Sequence, residues 1–185
     1  MSERILNFSR SMRVSSKEEI NVMEYKIREI EEKDNAAVEQ VIRTCLIEFG
    51  GNREGLAWAD PYLGRFSEVY EPEGSCYWVV ENSEGRIVGG AGIGPWPIGE
   101  GICELQKMYF LQEARGTGAA HELMQLALKY AKIHYEQCYI ETLHNMVAAN
   151  RFYQKYGFTR LEKPLSQTEH YACDVWYIKE LQDDL

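Results

Sequence analysis

The sequence predicts an α/β (α+β) fold, and three observations carry that expectation. A strand-like run at residues 102–111 leads through a short Gly-bearing loop at 112–118 into a helix from about Thr117 to Ile133. That helix has one apolar face: Ala120, Leu123, Met124, Ala127, Tyr130 and Ala131 recur at the helical period. Before and after this unit, further strand-like runs alternate with two more helical stripes, which fits neither an all-helical nor an all-sheet chain.

Residues 1–22 stand apart. They hold three Arg and five Ser without a sustained helical period, and read as a flexible N-terminal extension ahead of a single domain at 23–185. They lack the apolar core of a secretory signal, and Glu3, Glu18 and Glu19 argue against a transit peptide. Residues 25–30 alternate weakly as a first strand. Asp34 is positioned to cap a helix, whose stripe is Val38, Val41, Ile42, Cys45, Leu46 and Phe49. Gly50-Gly51 ends it. Asp60-Pro61 reads as an N-cap followed by proline at the first helical position, opening a short helix with Leu63, Phe66, Val69 and Tyr70. Residues 75–81 and 86–96, joined by a turn at 82–85, form a hairpin. The glycines at 89, 90, 92 and 94 suggest close backbone approach or a bulge in its second strand. After the central strand, loop and helix, residues 137–143 are a further strand. Asn145 opens a helix with Ala148, Ala149, Phe152 and Tyr156 as its core face and Gly157 as its end. Residues 171–181 close the chain as a strand.

A length of 185 residues suits one domain with a sizeable core. The net charge of -9 argues against a nucleic-acid surface and mildly favours a cationic partner such as an amine. No apolar run is long enough to span a bilayer, so no membrane partner is expected. The five cysteines include no C-x-x-C pair and read as reduced thiols of a cytoplasmic protein. The four histidines are scattered, and no metal site is expected.

The chemistry concentrates at Arg115-Gly116-Thr117-Gly118, where the strand hands over to the helix. The first N–H groups of a helix have no internal partner, and the helix dipole makes that end positive. Glycines at 116 and 118 remove the Cβ atoms that would hold an anion away. The turn therefore reads as a pyrophosphate cradle, with Arg115 adding a charge-assisted contact. It is not a P-loop, because no Gly-Lys-Ser/Thr follows. It is a poor dinucleotide fingerprint, because His121 stands where a third glycine is needed.

Arg115-Gly116-Thr117-Gly118-Ala119-Ala120 resembles the cofactor-binding motif of the GNAT superfamily, the acyl-CoA-dependent N-acetyltransferases. The segment from Asn145 through Tyr153 to Gly157-Phe158 is similar to that family's second motif, in the right order and about 25 to 30 residues further on. The resemblance covers roughly residues 24–181. It implies a mixed, mostly antiparallel central sheet of six or seven strands with helices on both faces. It further implies acetyl-CoA as co-substrate, bound by Met108, Tyr109, Arg115, Gly116, Thr117, Gly118, Ala119, Ala120, Asn145 and Tyr153, with the pantetheine between splayed strands.

Amine acetylation makes three demands. An ammonium with a pKa near 10 must lose a proton before it can attack. The carbonyl needs aimed N–H donors as charge grows on its oxygen. The departing thiolate, of pKa about 8.5, benefits from an acid. Glu104, a carboxylate inside an apolar strand, is the candidate base, with Glu141 as its substitute; a plain ion pair of Glu104 with Lys107 is the simpler alternative. By resemblance, Tyr153 is the acid, the main-chain N–H of Met108 the oxyanion donor, and Asn145 a ligand for the cofactor arm, or else an ordinary helix N-cap. His170, Tyr171, Cys173 and Asp174 could line the acceptor side. The expected function is transfer of an acetyl group from acetyl-CoA to a primary amine of a small molecule, by direct attack in a ternary complex. A protein or peptide acetyltransferase, a non-catalytic acyl-CoA sensor of the same fold, and a homodimeric assembly stay open.

Overall fold

A computed structural model describes residues 24–166 and 168–181; the extension expected at 1–22 lies outside them. Seven strands form one sheet: β1 (Tyr25–Glu29), β2 (Cys76–Asn82), β3 (Ile87–Pro95), β4 (Ile102–Phe110), β5 (Gln137–Thr142), β6 (Thr159–Leu161) and β7 (Val175–Glu180). Their order across the sheet is β1-β2-β3-β4-β5-β7-β6. Every neighbouring pair is antiparallel except β4 and β5, which run parallel with a helix between them. The sheet is thus mixed and mostly antiparallel.

Helices α1 (Asn35–Glu48), α2 (Phe66–Val69), α3 (Ala119–His134) and α4 (Val147–Lys155) cover its two faces. On one face, Val38, Val41, Ile42, Cys45 and Leu46 of α1 and Phe66 of α2 pack on Tyr77, Val79 and Ile87. On the other, Leu123, Met124, Ala127 and Ala131 of α3 and Tyr153 of α4 pack on Trp78, Ala91, Leu105 and Ile140. Alternation within each strand separates the two cores: Cys103 and Leu105 face α3, and so do Cys138 and Ile140. Glu104 and Gln106, or Tyr139 and Glu141, then face the other way.

Four local expectations need correction. Asp34 does not cap α1 with its side chain. Its carboxylate accepts two bonds from Arg28 at 2.6 and 2.9 Å and one from the Glu31 N–H, because a 3-10 turn at Glu32–Asp34 precedes the helix. The helix expected after Asp60-Pro61 shrinks to Phe66–Val69, since Asp60 is drawn away by side chains of the cleft. α3 begins at Ala119, after Gly118 in a left-handed conformation (φ 95°). Residues 171–174 are not strand; they form a turn before β7, while the short polar strand β6, too brief to leave a pattern, takes the sheet edge.

The glycines of β3 are explained by what lies on them. A Cβ at Gly89 would come within 2.5 Å of the Phe110 ring, one at Gly90 within 2.8 Å of Tyr77, and one at Gly92 within 2.5 Å of Tyr70. Two bulges lie near them: Val88 of β3 is an extra residue against Val80 and Glu81 of β2, and on β4 Lys107 and Met108 together stand opposite Ala91, since Gly90 pairs with Tyr109 and Gly92 with Gln106. Lys107 has a φ of 52°, which non-glycine residues seldom adopt. Gly92→Ala would press Tyr70 off the sheet. We expect it to cost about 1–3 kcal/mol, the usual penalty of overpacking, read as a lower urea midpoint; an unchanged midpoint would show that the ring yields freely.

Candidate active site

The cleft exists because β4 and β5 part company. They pair at only three positions, Ile102 with Gln137, Cys103 with Cys138 and Glu104 with Tyr139. Beyond them β5 stays aligned with β7 to Thr142, while β4 turns away at its bulge. Two cavities open in the gap. One, of about 250 Å³, is lined by Cys45 and Phe49 of α1, Met108 to Phe110 of β4, Arg115, Gly116, Ala120 and the α4 residues Ala148, Ala149, Phe152 and Tyr153. The other, of about 60 Å³, lies deeper and holds Glu104, Gln106, Lys107, Glu141, His170 and Cys173. Met108, Tyr109, Met146 and Tyr153 line both.

At the outer end of the groove, Gly116 (φ 77°) and Gly118 (φ 95°) are both left-handed, and a Cβ at Gly116 would enter open space. The N–H groups of Gly116, Thr117, Gly118 and Ala120 find no backbone acceptor among the described residues. Not every residue of the motif faces this way. The Thr117 hydroxyl turns inward, donating to the Ala114 carbonyl and accepting from the Ala119 N–H, and the Ala119 side chain is wholly in the core. Arg115 is held by Glu48 through two bonds of 2.6 Å, and its Nε–H donates to the Phe110 carbonyl. Asn145 neither caps α4, whose N-cap is Met146, nor lines either cavity. Its amide bonds the Phe49 carbonyl at 2.8 Å, tying the start of α4 to the end of α1.

The expected core face of α4 is corrected in part. Tyr153 is its fully buried residue, Ala148 is exposed, and Ala149, Phe152 and Tyr156 pack against the core half-buried, Tyr156 also bonded to the backbone of His121. Ala148, Ala149 and Phe152 also form a wall of the groove. The Tyr153 hydroxyl makes no hydrogen bond among the described residues, and burial pushes its phenol pKa up. It is therefore fully protonated near neutrality.

The deeper cavity is polar. Glu104 is 8% exposed. Burial raises its pKa against the opposing pull of a 2.7 Å bond from the Gln106 amide. It does not pair with Lys107. That ammonium lies 2.6 Å from Asp60, whose other oxygen is 2.9 Å from His170 Nε2. Burial alone would raise Asp60, but His170 and Lys107 together hold it below its ordinary value. Glu141 accepts hydrogen bonds from the Tyr139 hydroxyl at 3.0 Å and the Thr168 hydroxyl at 2.9 Å. The Cys173 thiol is pushed up to about 12 by burial and nearby carboxylates, so it is no thiolate nucleophile. Sequence reading missed Gln106 and read Asp60 chiefly as a helix cap; of the residues expected on the acceptor side, His170 and Cys173 line this cavity and Tyr171 and Asp174 do not. The alternation of Glu104 with Gln106, and of Tyr139 with Glu141, was the available signal that one polar face joins the two strands.

An acetyltransferase (GNAT) domain profile matches residues 73–160. The uncharacterized N-acetyltransferase YjgM of Escherichia coli K12 is 40% identical over 158 residues, which is 84% of this chain and 94% of YjgM. The chain belongs to the GNAT superfamily. It is an acyltransferase. The fold agrees: a GNAT-family acetyltransferase of Staphylococcus aureus Mu50 superposes with a TM-score of 0.74 at 19% identity, covering 85% of this chain and 99% of that one. The protein yncA of Salmonella typhimurium, solved with its cofactor acetyl-CoA, superposes with a TM-score of 0.67 at 16% identity, covering 87% and 96%.

Burial of Glu104 has a thermodynamic consequence. Its folded pKa lies above the ordinary 4.5, so its ionisation opposes folding. That opposition is absent below the unfolded pKa, grows as pH climbs toward the folded pKa, and is constant above it. Glu104→Gln should therefore raise the melting midpoint at pH 8, with the gain shrinking toward pH 4. A lower midpoint at pH 8 would contradict this.

Proposed function

We propose that this GNAT protein transfers an acetyl group from acetyl-CoA to a primary amine of a small molecule, with both substrates in the splayed cleft at once. The observation that carries the reading is the junction, where Met108, Tyr109, Met146 and Tyr153 border both the outer groove and the acidic cavity. A thioester entering along the groove and an amine entering the cavity would meet there. The free N–H groups around Gly116 and Gly118, and the largely apolar groove wall behind them, support binding of a pyrophosphate with an extended arm. The small volume of the acidic cavity supports an acceptor whose amine head has few heavy atoms.

When bound, acetyl-CoA supplies an activated acyl carbon and a thiol leaving group. The residues supply the rest. Glu104 takes the proton that the acceptor ammonium must lose; its raised pKa narrows the gap to an amine near 10. The Met108 N–H, in the bulge where the ladder to β3 is broken, donates to the carbonyl oxygen as the C–N bond forms. Tyr153 donates its phenolic proton to the sulfur as the C–S bond breaks, and regains a proton from solvent or from the nitrogen as the amide forms. Arg115 and the N–H groups of the turn anchor the far end. To reach a phosphate, Arg115 must exchange Glu48 for it.

Tyr153→Phe tests the assignment. The phenyl ring keeps the packing on Phe158 and Tyr177 and loses only the hydroxyl. Thiol release with an active amine should fall by about 10² or more, the range for losing a general acid, with acetyl-CoA affinity nearly unchanged. Full turnover would remove Tyr153 from the chemistry.

A further inference from the structure

We propose that the acceptor is a small amine that bears no carboxylate, docked as the ammonium between Glu104 and Glu141, and that Asp60 enforces this choice by cancelling the charge of Lys107. The proposal rests on the transfer reading above and names its acceptor class.

The acidic cavity is lined by one lysine, Lys107, and no arginine. A lysine at the acceptor site would ordinarily invite a carboxylate-bearing substrate such as an amino acid. Here its ammonium is committed to Asp60 at 2.6 Å, with both side chains largely buried. Asp60 is committed in turn, since its second oxygen meets His170 Nε2. Lys107 and Asp60 thus cancel each other in the cavity wall. What remains on the cavity side is a pair of carboxylates. The ligand atoms of Glu104, Glu141 and His170 all lie within 4.8 Å of one another.

The two carboxylates are held differently. Glu104, a nine-tenths buried residue, receives one bond, from the neutral amide of Gln106, and its second oxygen, left open to the cavity, has no donor among the described residues. Such an oxygen calls for a donor from outside. Glu141 is braced by the hydroxyls of Tyr139 and Thr168, which fix its direction without neutralising its charge. An ammonium offers three N–H donors and one positive charge, and two converging carboxylates match both. A carboxylate on the same small molecule would be brought toward like charge in a confined space, which opposes binding. A divalent metal is the other occupant that this trio suits. However, His170 Nε2, as the N–H donor to Asp60, carries no lone pair for an ion, and the Lys107 ammonium 3.2 Å from it opposes a second cation there.

The test is a matched pair of ligands: 1,4-diaminobutane and 4-aminobutanoate. They share a four-carbon chain and an amine and differ in the second end group. Their binding to the protein saturated with free CoA is measured by calorimetry, and thiol release from acetyl-CoA is measured in parallel. The diamine should bind at least about tenfold tighter, a difference of about 1.4 kcal/mol. Asp60→Asn, by freeing Lys107, should narrow that ratio by about tenfold through improved binding of 4-aminobutanoate. Should the substitution loosen the loop, Glu141→Gln gives a second check, raising the KM of the diamine more than it changes kcat. Equal or tighter binding of 4-aminobutanoate by the wild type overturns the proposal, and so does saturable Mn²⁺ or Zn²⁺ binding that is lost in Glu141→Gln. Diamine binding without thiol release would uphold the acceptor pocket and overturn the transfer reading.

Discussion

The structure depends on a hydrogen-bonded ladder that stops. β4 and β5 are parallel neighbours for three residue pairs and then diverge. Buried backbone N–H and C=O groups are almost always paired, so two strands that open in the middle of a sheet need a reason and a use. The reason is on β4, where two residues oppose one of β3 and Lys107 takes a left-handed φ. The bulge re-aims the second half of the strand while β5, paired along its whole length with β7, cannot follow. The use is a cleft whose walls are strand edges, suited to an extended ligand that brings its own amides. α3 and α4, packed on one face, and α1, packed on the other, then place their ends around its mouth.

That geometry fixes the chemistry by setting depth. The turn at Gly116 and Gly118 stands at the outer end, where anions can reach it, and Tyr153 stands midway. Glu104 lies at the bottom, in the last residue pair before the strands part, and so is the most buried of the cleft's carboxylates. Its raised pKa and its free oxygen both follow from that position. The same burial costs stability, so the carboxylate proposed as the base is one that folding alone would not favour. Asp60, Lys107 and His170 form a balanced cluster beside it, which keeps a lysine in the cleft wall without presenting its charge.

Much of this was legible in the chain. The strand, glycine turn and helix from 102 to 134 announce themselves by a change of period, and the stripe of α1 lies in the core as written except for Phe49, which caps the helix and lines the groove. The apolar positions of α4 were legible only in part, because a groove wall and a core face carry the same residues. Ala149, Phe152 and Tyr156 reach the core half-buried, Ala148 and Phe152 line the groove, and Tyr153, whose side chain looks amphipathic, is the one fully buried. Asp60-Pro61 has the form of a helix start, yet the carboxylate is claimed by Lys107 across 47 positions of sequence, a long-range contact no local pattern encodes. Asn145 carries the family signature but spans to Phe49, a partner set by the meeting of two helices. Strand β6 has three residues, too few for any period.

A larger cavity, of about 660 Å³, lies on a different part of the surface, bordered by Arg28, Lys33, Gln40, Glu81 and Arg86. Its ionic groups are already paired, Arg28 with Asp34 and Glu81, Lys33 with Glu31, and Arg86 with Glu113. Choosing between the cavities is the most direct test of the account. Amide ¹H–¹⁵N spectra should be followed while acetyl-CoA is titrated into the protein. The account predicts that the Met108, Gly116, Gly118 and Ala120 amides shift together along one binding curve, while those of Lys33 and Gln40 stay still. Shifts confined to the Lys33 and Gln40 side, with the glycine turn and Met108 unmoved, would contradict it.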